Sequence, residues 1–289
     1  MTRLAGIFLL STSLASAAFD PAAFQAAVGL YTSHRLPEAQ AAFETLAAAN
    51  PANADIQFYL GRLALQRDDI PKAVAALERA VELKPDDARF HLRLGDAYGL
   101  SAQRAGLFSQ LGFARKCRTE YQRAVELDPK NVDARWALME FCRQAPGIVG
   151  GGLDQAMVQA QAIKRLDDDR GRVALAGIYA QEEKFDEALA EFEEVLKKDP
   201  DNYSANYQFG RVTALSGTRL DDGLAALRKC LGQHPPEGQP PLAAVHWRIG
   251  NILEKKGDRA GARAAYETAL KVDPHFHQAV EALKKLGAG

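Results

Sequence analysis

Six prolines, Pro51, Pro85, Pro129, Pro200, Pro235 and Pro274, divide this chain at intervals of 34, 44, 71, 35 and 39 residues. The interval of 71 is two periods with one proline missing. A recurring length near 34 predicts a stack of helical hairpins, each too small to bury its own apolar face. Such a chain gains its core by laying one hairpin against the next, so the period fixes the architecture before any single motif is weighed.

The columns in front of each proline support this reading. Twelve residues before it stand Ala39, Ala73, Cys117, Ala188, Gly223 and Ala262, all small. Eight before it stand Phe43, Leu77, Tyr121, Phe192, Leu227 and Tyr266, all large. Five before it stand Leu46, Ala80, Ala124, Val195, Cys230 and Ala269. Offsets of four and three place the columns on one helical face, which the proline then terminates. An earlier helix in each unit carries Leu60-Gly61, Leu94-Gly95, Phe209-Gly210 or Ile249-Gly250. Glycine inside a helix costs about 1 kcal/mol against alanine, so its recurrence implies close approach of the paired helix. Asp87, Asn131 and Asn202 stand as N-caps where units begin.

These residues resemble the tetratricopeptide repeat, and the clearest unit, residues 243–274, departs from it mainly in carrying His246 where the repeat has tryptophan. The resemblance covers almost all of the chain after its first residues. It implies an all-α, right-handed superhelical solenoid of about seven hairpins, beginning near 20, 54, 88, 132, 169, 203 and 243 and spanning 18–276. Residues 277–289 are expected to form a capping helix and tail over the open end of the core.

The N-terminus reads differently. Arg3 precedes an apolar stretch from Leu4 to Leu14, with small residues at Ala15 and Ala17. This is the pattern of a signal peptide over 1–17, and the stretch is too short for a bilayer span of about 20 residues. The expectation is an exported protein, periplasmic or secreted, with no cysteine placed for a lipid anchor. A net charge of −1 gives no electrostatic reason to expect nucleic acid. The three cysteines, Cys117, Cys142 and Cys230, fall in packing columns and read as small buried hydrophobes. The sequence alone leaves a Cys117–Cys142 disulfide between adjacent units open.

Two consecutive units are too long. The third gains ten residues within 99–115 and the fourth about three within 145–153, both between the helices of their hairpins. Insertions along one edge of a repeat array are candidate binding surfaces. Leu107, Phe108, Leu111, Phe113, Ile148 and Val149 therefore form either a second contact surface or a satellite core. The run Gly150-Gly151-Gly152 is not a phosphate loop, because no Gly-Lys-Ser/Thr follows and Asp154 would repel phosphate.

On the first helix of each unit, three residues before the small or glycine column, stand Phe24, Phe58, Leu92, Trp136, Val173, Tyr207 and Trp247. One and four residues after that column come Arg62 and Arg211, then Tyr31 and Arg143, all on one stripe. The resemblance implies that this stripe lines a concave groove for a peptide or partner helix. Phe24, Tyr31, Phe58, Arg62, Trp136, Arg143, Tyr207, Arg211 and Trp247 are the candidate contacts, and Trp, Tyr and Arg are the types enriched at interface hot spots. The aromatics have a second reading, as packing between successive first helices. The lysine and asparagine pattern that holds a C-terminal carboxylate in some relatives is absent.

Nothing in the sequence points to catalysis. The six histidines lack metal-ligand spacing, and no G-x-S-x-G or activated cysteine is present. No catalytic residue, metal or cofactor is expected. The leading expectation is an exported scaffold or adaptor for a protein or peptide. A component of envelope assembly or polysaccharide export is the alternative, and an enzyme subunit using the insertion edge a weaker one.

Overall fold

A computed structural model describes residues 19–287. The expected signal peptide, 1–17, lies outside the described residues. The chain divides into two compact units, Met1–Pro129 and Lys130–Gly289. Among the described residues every regular element is a helix.

The first unit holds three hairpins: α1 (Pro21–Thr32) with α2 (Leu36–Ala49), α3 (Ala54–Gln66) with α4 (Ile70–Leu83), and α5 (Ala88–Arg104) with α6 (Leu107–Leu127). The second unit holds four: α7 (Val132–Gln144) with α8 (Leu153–Leu166), α9 (Asp168–Gln181) with α10 (Phe185–Lys198), α11 (Tyr203–Ser216) with α12 (Leu220–Leu231), and α13 (Leu242–Lys255) with α14 (Arg259–Val272). A last helix, α15 (His277–Gly287), packs on α14.

Local chemistry sets the boundaries. The side chains of Asp87, Asn131 and Asn202 accept hydrogen bonds from the backbone N–H groups of Arg89, Ala134 and Ala205, each satisfying an orphan donor of the first turn. At the other ends, the residues before Pro51, Pro85, Pro129, Pro200 and Pro274 leave helical geometry, with φ between −131° and −147° and ψ between 66° and 101°. A proline ring clashes with a helical residue in front of it, and this is the resulting escape.

The sequence columns form the core. Phe43, Leu77, Phe192, Leu227 and Tyr266 are essentially inaccessible, as are the alanines at the small positions. Leu77, Tyr121, Leu227 and Tyr266 lie over Gly61, Gly95, Gly210 and Gly250 of the facing first helices, so that a Cβ on Gly250 would overlap the Tyr266 ring. The glycine pays its helical cost for this close seat.

The missing proline has a structural counterpart. Asp167 is both the last cap of α8 and the N-cap of α9, its side chain accepting from Arg170 N–H at 3.0 Å. Elsewhere a short linker separates successive hairpins; here one residue does. The corner is so tight that a Cβ on Gly171 would collide with the Lys164 backbone.

The long units differ from expectation in one respect. The extra residues of the third do not form a loop. They lengthen both helices, α5 to 17 residues and α6 to 21, with only Ala105 and Gly106 between them. Favourable helix formers such as Ala102, Gln103 and Arg104 continue α5, and Phe113 packs on Tyr98 at 6.2 Å between ring centroids. The fourth unit does carry a non-helical connection: one 3₁₀ turn over Gly147–Val149, then Gly150 at φ 87° and Gly152 at φ 154°. The glycine run thus serves the turn geometry.

Candidate functional site

In the first unit the stripe residues close on one another. Phe24 meets Phe43 and Tyr59 edge-on, each at 5.9 Å, and Tyr31 meets Tyr59 at 5.5 Å. Phe58 lies 4.8 Å from Phe90 on the next first helix. Tyr31 and Phe58 are buried, so their rings join successive first helices. The Arg62 guanidinium lies over this layer, 4.6 Å from the Tyr31 ring centroid and 5.4 Å from that of Phe58. Both distances are within cation–π range.

In the second unit the stripe opens. A cleft of about 410 Å³ is lined by Arg143 and Gln144 of α7, Gly177, Ala180 and Gln181 of α9, and Arg211 of α11. Its form follows from residue size. The middle helix presents glycine and alanine where its neighbours present arginine, leaving a low floor between two cationic walls. A Cβ on Gly177 would meet nothing within 4 Å.

The two walls differ electrostatically. Arg143 is paired, its Nη2 donating to Glu140 at 2.6 Å and its Nη1 to Gln181 at 3.2 Å. Arg211 has only a neutral partner, donating from Nε to Gln208 at 2.6 Å. No carboxylate among the described residues pairs with it. Burial, with the charges of Arg248 and Arg143, holds its guanidinium below the usual arginine range, against a smaller opposing effect of Tyr207.

A second cleft, of about 350 Å³, is lined by Ala214 and Leu215 of α11 and by Arg248, Asn251, Glu254 and Lys255 of α13. Arg248 stacks over Trp247 with Cζ 4.1 Å from the ring centroid. Its Nε is buried without a hydrogen-bond partner. Across this site the Tyr266 hydroxyl, with one proton to share, lies 2.9 Å from Asn251 Oδ1 and 2.8 Å from Glu254 Oε2. Arg248 is the site residue that the stripe rule missed, since it lies two residues before the glycine column.

The structure therefore brings Arg143 and Arg211 together around one cleft, with Arg248 near enough to Arg211 to oppose its charge. Tyr207 is buried behind them. Trp136 is half-buried under Arg170, 5.5 Å from its guanidinium, and Trp247 packs on Phe276 at 6.1 Å. At the insertions, Phe108 in the first unit is 96% exposed, while Leu111 and Phe113 are half-buried. In the second unit Ile148 is 69% exposed and Val149 is buried.

The three cysteines are buried and none forms a disulfide. Among the described residues, no group of three or more His, Cys, Asp or Glu side chains is placed to hold a metal ion. No described helix is long and apolar enough to cross a membrane.

Stacked hairpins with interlocking small and large columns make this an all-α helical-repeat solenoid, a fold that serves as a protein-interaction scaffold. Profiles of the tetratricopeptide repeat match residues 24–88, 61–99 and 173–238, and a second profile of that repeat matches 243–276. Together they cover more than half of the chain, which belongs to the tetratricopeptide repeat family. It is 31% identical over 144 residues to cellulose synthase operon protein C of Pseudomonas fluorescens (strain SBW25), covering 48% of this chain and 11% of that protein. It is 26% identical over 173 residues to human DnaJ homolog subfamily C member 7, covering 57% of this chain and 34% of the relative. The chain thus spans about a third or less of the length of these curated relatives. A tetratricopeptide repeat protein from Parabacteroides merdae shares the fold at a TM-score of 0.67 and 14% identity, over 92% of this chain and 97% of that one.

Proposed function

We propose that this protein is a non-catalytic, exported adaptor that binds a protein or peptide partner through the first helices of its second unit. One observation carries the reading: between Arg143 and Arg211 the stripe opens into a cleft with a glycine–alanine floor. A regular solenoid closes such positions by packing, as the first unit does with Tyr31, Phe58 and Arg62. Export rests on the signal-peptide pattern of residues 1–17, with a mature N-terminus at Ala18. N-terminal sequencing of the protein from a periplasmic fraction checks this; an intact Met1 there overturns it.

The binding proposal is tested by photo-crosslinking in the native host. A photoreactive residue replacing Gln181, exposed at the cleft, is expected to trap a discrete partner. The same residue replacing Ala190, exposed on α10, is not. Equal adducts from both positions, or none from Gln181, overturn the assignment.

The similarity to cellulose synthase operon protein C favours a second reading, in which the adaptor serves polysaccharide export. Deletion of the chain should then reduce secreted polysaccharide, with restoration by wild type but not by a variant that no longer crosslinks.

A further inference from the structure

The unit formed by Lys130–Gly289 carries cationic charge that its own residues leave uncompensated. Of the three arginines along the two clefts, only Arg143 is bound to a carboxylate, that of Glu140. Arg211 rests on the neutral amide of Gln208. Arg248 has a buried Nε with no partner and a face stacked on Trp247. Arg211 and Arg248 oppose each other's charge, an arrangement that disfavours the empty site unless an anion enters. Lys255 adds a further cation, its Nζ donating to the Leu215 carbonyl at 3.3 Å, and Glu254 is the acidic group on that side.

We propose that the occupant is an acidic peptide segment, with one Asp or Glu side chain seated between Arg143 and Arg211 and another reaching Arg248. The proposal rests on the reading that the cleft takes a polypeptide, and it names the chemistry of that polypeptide. Guanidinium groups match carboxylates by paired, charge-assisted hydrogen bonds, which supplies both energy and orientation. The low floor at Gly177 and Ala180 admits a main chain close to α9. The Gln144 and Gln181 amides beside it hydrogen-bond Glu140 and Arg143 and would have to exchange those bonds to meet its backbone groups. The cations stand in two discrete clefts, each beside a carboxylate, Glu140 or Glu254. A peptide can place neutral residues next to those carboxylates and acidic ones at the arginines, whereas a nucleic-acid backbone carries a charge at every nucleotide.

The test uses the full chain and fluorescence anisotropy with a labelled Glu-rich peptide, its Gln isostere, a labelled apolar peptide and a labelled single-stranded RNA. The Glu-rich peptide is expected to bind more tightly than the isostere by about tenfold or more and to weaken as salt is raised. Arg211→Gln combined with Arg248→Gln should remove that advantage. Because Arg211 is part of the packed structure, Gly177→Glu provides a second variant. It sets a carboxylate into open space on the floor and should repel the acidic peptide while leaving the melting temperature near that of the wild type. Equal binding of peptide and isostere, or undiminished binding by both variants, overturns the proposal. So does tighter binding of the RNA. Tight binding of the apolar peptide alone overturns it while leaving the adaptor reading in place; no peptide binding at all counts against both.

Discussion

His91 on α5 stands between two acceptors, its Nδ1 2.6 Å from a Glu120 carboxylate oxygen on α6 and its Nε2 2.9 Å from the Pro85 carbonyl oxygen. Only the doubly protonated ring donates to both. Burial disfavours that charge, but the hydrogen bonds to Glu120 and Pro85, with the Glu120 charge, outweigh burial and raise the pKa above its ordinary value. A raised folded-state pKa adds stability that is complete below the unfolded value, about 6.5, and is lost as pH rises through the folded value. His91→Gln should therefore cost about 2 kcal/mol near pH 6 and clearly less near pH 9. Urea unfolding of both proteins at the two pH values measures this; an equal cost at both removes the imidazolium from the account.

Two glycines on α9 should respond oppositely to alanine. Gly171 faces the Lys164 backbone across the one-residue join at Asp167, and backbone cannot rotate out of the way. Gly171→Ala is expected to cost about 3 kcal/mol or more through overpacking. Gly177 faces open space, so Gly177→Ala should gain up to about 1 kcal/mol of helix propensity. Thermal melts of both variants decide it.

The turn within several hairpins needs a left-handed residue, and the repeats fill it differently. Gly257 takes it at φ 80°, whereas His34 and Glu183 take it at 57° and 58°. A side chain there costs about 1 kcal/mol or more relative to glycine. Glu183→Gly should raise the melting temperature and Gly257→Glu lower it. Two shifts of the same sign would contradict the strain argument.

Thiol chemistry provides a separate check on packing. Burial pushes the Cys117 thiol up to about 12 and the Cys230 thiol up to about 11, and Cys142 is equally buried. Since the thiolate is the reactive species, folded protein at pH 8 should react negligibly with an aromatic disulfide reagent. Denatured protein should release all three. Rapid reaction of one thiol in the folded state would show that its column opens.

The hairpins were legible because the same packing problem is solved repeatedly, so small, large and proline positions recur in the sequence. Arg143 and Arg211 were legible for the same reason, through their place on the stripe. Arg248 lies off that stripe, yet a signal existed. Arg211 and Arg248 both lack a carboxylate three or four residues away, whereas Arg143 has Glu140. What sequence alone could not show was which stripe residues pack. Tyr31, Phe58 and Tyr207 occupy the same helical face as the cleft residues, and their burial depends on the neighbouring helix. The helical extension of α5 and α6 was hidden as well. The lengthened stretch contains Gly99, Gly106 and Gly112, and of these only Gly106 lies between the two helices.

The fourth hairpin exchanges the sizes used by the others. Where other first helices place glycine or alanine, α7 has Met139, and where other second helices place Phe, Leu or Tyr, α8 has Ala160. Both are buried, Met139 at 1% exposure and Ala160 at 0%. The column equivalence makes them a reversed knob and hole, and such a pair has to be mutated together. Met139→Gly alone should cost about 3 kcal/mol or more through the cavity it leaves, and Ala160→Leu alone about 1–3 kcal/mol through overpacking. The double variant restores the arrangement of Gly210 beneath Leu227. It should recover at least about 1 kcal/mol relative to the sum of the single costs. A double-mutant cycle in urea measures this coupling. Strict additivity would mean that the hairpin seats Met139 against some other neighbour and that the repeat register fails across the missing proline.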